Sequence, residues 1–348
     1  MLNFLRAAVT IVFFGAAFSF SGCVESAPEG RIEFIFGTVC SVRIQERGMD
    51  QVYDRVFARL RELDDTFNVN KQGSVISEIN RAAGTRPVRV PDEVIKVLGR
   101  ALFFAELSDG AFDPTIGPLV KLWGIGTDEA RVPTHEEVER ALSLINWHDV
   151  VVDGENNTVF LKKEGMILDA GGIAKGYAAD EALRIIRGSG ARGALIDFGG
   201  NIIVYGEKAI SGAQGKMTPW RIGIQHPHRE RGEFIGVIDM EDGTLVTSGN
   251  YERFFERDGR RYHHILSTKT GYPVENDISS VTVVRGLQRE DDGASMDADA
   301  LSTTLFALGF TAAYSFISGF DGVDAIFILK DGEIRVTPAL SRRFVHEF

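Results

Sequence analysis

Five short segments carry residue types whose spacing suits chemistry. In Asp297-Ala298-Asp299-Ala300-Leu301-Ser302-Thr303-Thr304-Leu305, Asp299 and Thr303 stand four residues apart. On a helix they share a face, and a carboxylate beside a hydroxyl is oxygen ligation that suits a hard cation such as Mg²⁺. The competing reading is helix N-capping by Asp297 or Asp299. In Ile167-Leu168-Asp169-Ala170-Gly171-Gly172-Ile173-Ala174-Lys175-Gly176-Tyr177 a strand ends, two glycines follow and a helix begins. That geometry offers backbone N–H groups and a positive helix end to a phosphate, with Lys175 as a point charge in the first turn. It lacks the spacing of a Walker loop, and a glycine-tolerant turn without a ligand reads equally well. Ile196-Asp197-Phe198-Gly199-Gly200-Asn201 reads as a tight turn or bulge between apolar strands. Ala111-Phe112-Asp113-Pro114-Thr115-Ile116-Gly117-Pro118-Leu119, closing in Leu122-Trp123-Gly124, reads as a rigid apolar loop that either walls a pocket or packs as a core turn. Finally, Thr247-Ser248-Gly249-Asn250-Tyr251-Glu252-Arg253 precedes Arg260-Arg261-Tyr262-His263-His264-Ile265-Leu266. Neighbouring side chains of a strand point to opposite faces, so His263 and His264 cannot both enter one site.

The elements that must hold these segments alternate along the chain. A strand is expected over 32–44. A helix over 50–64 presents Val52, Val56, Leu60 and Leu63 at helical spacing, and another over 92–108 follows Pro91-Asp92. Thr134 and Glu137 form a capping box that opens a helix to about Leu144. Strands are expected at 150–152, 158–161 and 166–168, then a helix over 174–187. Further strands fall near 194–205, 220–225, 235–239, 244–247, 262–266 and 281–284. Helices follow over 298–308 and 311–317, and a hairpin over 325–336 turns at Asp331-Gly332. Strand runs interrupted by helices indicate an α+β fold with mixed or antiparallel sheets and flanking helices.

The chain has 348 residues, 44% hydrophobic and 25% charged, with 38 Lys+Arg against 49 Asp+Glu and a net charge of −11. A mean hydropathy of −0.03 excludes a polytopic membrane protein, and the acidic balance disfavours nucleic acid as a partner. Arg6 precedes an apolar run from Ala7 to Phe20, which has signal-peptide length. The run ends in Phe20-Ser21-Gly22-Cys23, which looks like a lipobox with Phe in place of the usual Leu. The expected organisation is a lipoprotein signal peptide over 1–22, lipidation of Cys23, a polar tether over 23–30 and one domain over 31–348. Ordinary secretion or an uncleaved N-terminal anchor is the alternative. Cys40, the other cysteine, alternates with hydrophobic neighbours and reads as a buried small residue. No Cys or His cluster has zinc-ligand spacing.

Taken in order, AFDPTIGPL with WG, DAGGIAKGY, FGGNI, TSGNYER with HHI, and DADALSTT resemble the ApbE family, the FAD:protein FMN transferases of bacterial envelopes. The likeness begins at Phe36-Gly37-Thr38, where members usually have Met-Gly-Thr, and covers nearly the whole of 23–348. The resemblance implies one α+β domain related to the tunnelling fold, with FAD as substrate in an extended cleft and Mg²⁺ beside its pyrophosphate. It places the metal on Asp299, Thr303 and the backbone carbonyl of Gly172, with Ser302 nearby. It places FAD contacts on Phe36, Ala111, Phe112, Asp113, Asp169, Lys175 and Ile265, and the catalytic base on His264. Members commonly stack an aromatic residue on the flavin in the loop after the first helix. Here that loop reads Thr66-Phe67-Asn68-Val69-Asn70, so Phe67 supplies the ring, or Asn68 or Asn70 takes its place and flavin is held less tightly. The implied acceptors are flavin-bearing subunits of Rnf or Na⁺-translocating NADH:quinone reductase complexes. The implied location is the periplasmic side of the envelope, membrane-anchored through the lipid. Hydrolysis of FAD to FMN and AMP, or flavin binding without turnover, are the alternatives.

Overall fold

The computed structural model describes residues 29–209, 217–230, 232–287 and 293–346. The segment expected to be a signal peptide, Cys23 and all of the expected tether but its last two positions lie outside the described residues. Among the described residues, no helix is long and apolar enough to cross a membrane.

The strand expected over 32–44 is a hairpin of β1 (Arg31–Ile35) and β2 (Thr38–Ile44). It breaks at Phe36 and Gly37, whose φ angles of 55° and 67° make a two-residue hairpin turn. A phenylalanine in that conformation is uncommon; its N–H is held by Asp64 Oδ1 at 3.3 Å. Helix α1 (Asp50–Phe67) buries its expected stripe and runs past the predicted end. Helix α2 (Val75–Arg81), capped by Ser74, was not foreseen. After β3 (Val88–Arg89) and α3 (Asp92–Leu107), the expected rigid loop contains a helix, α4 (Gly117–Trp123), with Pro118 in its first turn. Helix α5 (His135–Leu142) carries the capping box, and β4 (Val150–Asp153) pairs with β5 (Thr158–Leu161).

No strand forms at 166–168, where Ile167 makes one isolated bridge to Ile116. The carboxamide of Asn80 stands in for a strand partner instead. It accepts from Leu168 N–H at 2.7 Å and donates to Leu168 O at 3.0 Å, which fixes the entry to the glycine turn. Helix α6 (Ala174–Gly188) follows. Strands β6 (Ala194–Phe198) and β7 (Asn201–Tyr205) turn at Gly199 and Gly200, both at positive φ. Next come β8 (Lys208–Ala209), β9 (Met217–Thr218), β10 (Trp220–Gln225), β11 (Phe234–Met240), β12 (Gly243–Gly249), β13 (Phe254–Arg257), β14 (Arg260–His263) and β15 (Ile278–Gly286). Helices α7 (Ala294–Leu308) and α8 (Phe310–Ile317) precede β16 (Val323–Leu329), β17 (Ile334–Val336) and β18 (Phe344–His346).

These elements make three layers. The middle is an eight-stranded sheet in the order β1-β2-β6-β7-β12-β15-β16-β17, antiparallel at every step. Helices α1, α6 and α7 pack on one face around a core that includes Phe57, Leu60, Phe198, Val281 and Leu301. On the other face lies a three-stranded sheet, β10-β11-β18, whose Ile222, Ile224 and Ile238 meet Val204, Leu245 and Ile326. The fold is α+β, as the alternation of elements predicts. Cys40 is fully buried, and desolvation pushes its thiol up to about 12, so it is a core residue and not a nucleophile.

Candidate active site

The glycine turn is built by its own side chains. Asp169 N–H donates to Pro114 O at 2.8 Å, and Asp169 Oδ1 accepts from Gly171 N–H at 2.7 Å. Desolvation pushes the Asp169 carboxyl above its ordinary value, against that bond and the nearby charges of Lys175 and Arg253. Gly172 sits between Phe112 and Thr303: a Cβ there would lie 3.0 Å from the Phe112 ring and 3.4 Å from Thr303 Oγ1.

One turn into α6, Gly176 lets the helix touch α7, since any Cβ at this position would collide with the backbone carbonyl of Ser295. Its N–H donates to Asp299 Oδ2 at 3.0 Å. Lys175 Nζ donates to Gly171 O at 2.9 Å and lies 3.4 Å from Asp299 Oδ1. The helix crossing therefore joins the glycine turn to the acidic helix. Helix α7 starts at Ala294, earlier than predicted, so Asp297 and Asp299 are inside it and neither is the N-cap. Asp297 turns away to Arg100, at 2.6 and 2.8 Å, and Arg285, at 2.9 Å.

Asp299 is 3% exposed; with Oδ2 committed to Gly176, Oδ1 faces Lys175 and the cleft. Thr303 lines the cleft one turn later, opposite Gly172. One carboxylate, one hydroxyl and a carbonyl form a hard donor set that fits Mg²⁺, an ion that usually keeps waters and takes further ligands from substrate phosphates. Among the described residues, no group of three His, Cys, Asp or Glu could hold a metal by itself. Ser302 stands one step behind this set. It is fully buried, donates to Asp299 O at 2.9 Å and shares a 2.8 Å bond with Ser248, and it is Ser248 that lines the cleft.

Strand β14 ends at His263, one residue before His264 and short of the predicted 266. The two rings still diverge. His263 is buried, donates from Nε2 to Val274 O at 3.0 Å and packs edge-on against Phe306. Among the described residues, its Nδ1 and Asn250 Oδ1 are buried without partners beside a second cavity of about 530 Å³. His264 lines the main cleft. Its N–H donates to Arg253 O at 3.0 Å and its Nδ1 lies 3.3 Å from the same oxygen. A carbonyl only accepts, so Nδ1 carries the proton and Nε2 presents a lone pair. Desolvation, followed by the charge of Arg253, pushes His264 down to about 3, which keeps it a free base at neutral pH.

The loop from Ala111 closes the site. The Asp113 carboxylate is buried and accepts from Thr115 N–H at 2.7 Å, Thr115 Oγ1 at 2.6 Å and Trp147 N–H at 3.2 Å, so it shapes the loop. Burial pushes this carboxyl above its ordinary value. Thr268 ties Gly110 to the segment after His264 through a 2.7 Å bond, so Ala111, Phe112 and Ile265 share one wall. On the far side Phe67 is 4% exposed and packs edge-on against Tyr177 in the core. Phe67 still borders the cleft, and Asn68, Val69 and Asn70 line it beside that ring. Asp64 accepts from Asn68 Nδ2 at 2.9 Å, and thereby holds both Asn68 and the Phe36 turn.

Of the described residues expected at the site from the sequence, all except Ser302 line one cleft of about 2100 Å³ that runs from the Phe36 turn to Thr303. Residues 36–327 match the model of the ApbE family.

This chain belongs to the ApbE family.

It is similar to the FAD:protein FMN transferase of Treponema pallidum, 38% identical over 324 residues that cover 90% of this chain and 88% of that protein. It is also similar to one of Klebsiella pneumoniae, 37% identical over 83% of this chain and 86% of that protein. Among solved structures, the ApbE protein of Thermotoga maritima superposes with a TM-score of 0.79 at 33% identity, covering 90% of this chain and 98% of that one. The flavin transferase ApbE from Vibrio cholerae gives 0.78 at 26% identity, covering 91% and 100%.

Within the ApbE frame, four positioning residues escaped the sequence reading: Asp64, Asn80, Ser248 and Arg253. Asp64 and Asn80 act across the fold through side-chain bonds to backbone, which leave no periodic signal. Ser248 and Arg253 lie inside the quoted TSGNYER segment and could have been singled out there.

Proposed function

We propose that this chain is a Mg²⁺-dependent FAD:protein FMN transferase, which joins FMN through a phosphoester to a Thr or Ser hydroxyl and releases AMP. The observation that carries this reading is the convergence of a free imidazole Nε2, the Lys175 ammonium and the Asp299–Thr303 pair in one dinucleotide-sized cleft. His264 takes the proton of the attacking hydroxyl at Nε2, while Nδ1 stays fixed on Arg253 O. The new P–O bond forms at the phosphorus on the riboflavin side, and the bond to the AMP phosphate breaks. Lys175, held between Gly171 O and Asp299, stabilises charge on the pyrophosphate as it is cleaved. The family's Mg²⁺, held by Asp299, Thr303 and the Gly172 carbonyl, supplies Lewis-acid charge stabilisation when bound. Phe36, Ala111–Asp113, Asn68, Asp169 and Ile265 form the walls against which FAD is oriented.

Asn68 supports a second activity. It faces the cleft beside Phe67, whose ring is 4% exposed and packed edge-on against Tyr177, so little of an aromatic face is offered to flavin. Water therefore competes with the acceptor hydroxyl, and hydrolysis of FAD to FMN and AMP accompanies transfer. The acceptors proposed are Rnf or Na⁺-translocating NADH:quinone reductase subunits, met on the periplasmic side of the envelope by a chain anchored through lipidated Cys23. Radiolabelled palmitate incorporation that survives in Cys23→Ser overturns that anchor.

The deciding assay incubates the purified chain with FAD and Mg²⁺, with and without an Rnf-type acceptor domain. An acceptor mass gain equal to FMN, abolished by EDTA, is the expected result. Intact FAD in both tubes overturns the catalytic reading and leaves flavin binding.

A further inference from the structure

We propose that the acceptor protein docks as an extended segment along the free edge of β1, its apolar side chains against Ile32, Phe34 and Val39, so that its hydroxyl enters the cleft past the Phe36 turn. The inference rests on the transferase reading.

Three observations carry it. The first is room. Sites for small molecules commonly measure about 300–1,000 Å³, and this cleft measures about 2100 Å³, so space remains beside one dinucleotide.

The second is an inverted strand. On β1 the charged residues are fastened inward to α1, Arg31 to Asp54 at 2.5 Å and Glu33 to Arg61 at 2.6 Å. The apolar residues point out: Ile32 is 65% exposed, Phe34 75%, and Val39, directly across from Phe34 on β2, 48%. Surface strands usually present the reverse pattern. The inversion leaves a contiguous apolar patch, and such patches mark interaction sites. Phe34 and Val39 also line the cleft, and exposed Phe234 and Phe254 stand on it too, from β11 and β13.

The third is an open edge. Among the described residues, β1 is the terminal strand of the eight-stranded sheet, with β2 on one side only. Its outer row of N–H and C=O groups can pair with an added strand, and pockets for alternate side chains then give specificity. The edge runs directly into Phe36 and Gly37, so a paired segment is delivered to the cleft. The partner chemistry follows: an extended segment with apolar side chains at alternate positions flanking a Thr or Ser hydroxyl.

The test uses the full-length chain in detergent with FAD, Mg²⁺ and an Rnf-type acceptor domain, reading acceptor mass gain, AMP release without acceptor, and FAD affinity. The combined Ile32→Ser, Phe34→Ser and Val39→Ser variant is expected to lower kcat/KM for the acceptor by about tenfold or more, with AMP release to water and FAD affinity unchanged. Unaltered transfer, or transfer and hydrolysis that fall together, overturns the proposal. A second measurement places a photo-crosslinking residue at position 34, Phe34→p-benzoylphenylalanine. A cross-link to the acceptor is expected; one confined to residues 1–28 of the same chain, or to a second copy, overturns the docking site. A wild-type chain that cleaves FAD without ever labelling the acceptor overturns the transferase reading itself, a result distinct from a defect confined to the variants.

Discussion

The α6–α7 wall of the cleft and its β1–β2 rim are built on opposite principles. In the wall, Asp299 and Lys175 are buried or half-buried, each tied by bonds to neighbours, and the helices touch at a glycine. On the rim, Ile32, Phe34 and Val39 are exposed, and among the described residues the strand below them pairs with one neighbour and is tied to α1 by ion pairs from Arg31 and Glu33. Reaction geometry tolerates little displacement, and groups that stabilise developing charge must be in place beforehand. Recognition of an extended chain needs surface and an edge instead. On the function and docking proposed above, one cleft divides into a part that fixes phosphorus chemistry and a part that receives a protein.

The largest effect that separates the two belongs to His264. Its replacement by alanine is expected to slow both transfer and hydrolysis about 10²–10⁴-fold, while FAD quenching still reports binding. An unchanged rate removes the imidazole from the mechanism. Next comes the helix crossing. Gly176→Ala forces a methyl group onto the Ser295 carbonyl and is expected to cost about 1–3 kcal/mol, read as a lowered midpoint in thermal or urea unfolding. A variant as stable as wild type would mean that the wall is not set by this contact.

The pH dependence sharpens the comparison further. With its folded value pushed down to about 3 and an unperturbed value near 6.5, His264 stays a free base through pH 5. No loss of AMP release with a midpoint near 6.5 is expected from this residue. The unfolded chain binds the proton more readily, so the folded state is undiminished above pH 6.5 and is progressively destabilised as pH falls toward 3. A rate profile with an ordinary imidazole midpoint contradicts the desolvated ring. The smallest effect is assigned to Asn68: in Asn68→Tyr the ratio of transfer to hydrolysis should rise severalfold, measured as acceptor mass gain against free FMN. A ratio that falls or stays level separates Asn68 from flavin grip.

Much of this was legible in the sequence because the signals are local. The stripe of α1, the capping box of Thr134 and Glu137, and the paired-glycine turn between β6 and β7 each depend on residues within a few positions. The segments that surround the cleft were singled out for the same reason. What stayed hidden depends on distance or on an unusual residue. Phe36 is no turn former, so the break between β1 and β2 left no mark. Asn80 replaces a strand partner for Leu168 across 88 residues, and the apolar spelling of 166–168 imitates a strand. Proline and glycine around 111–124 disguised α4, although Pro118 sits where a helix tolerates it best. The start of α7 was misplaced because Asp297 resembles a cap, whereas its charge is spent on Arg100 and Arg285.

The Lys175–Asp299 link spans 124 residues of chain, and this has a consequence for biogenesis. Chains are made from the N-terminus, so a nascent polypeptide that has completed the glycine turn and α6 still lacks the carboxylate opposite it. The nucleotide cleft comes into being only after α7 has been synthesised and crossed α6 at Gly176. A shortened product that stops before Ala294 lacks Asp299 and Thr303 and so lacks this wall of the cleft.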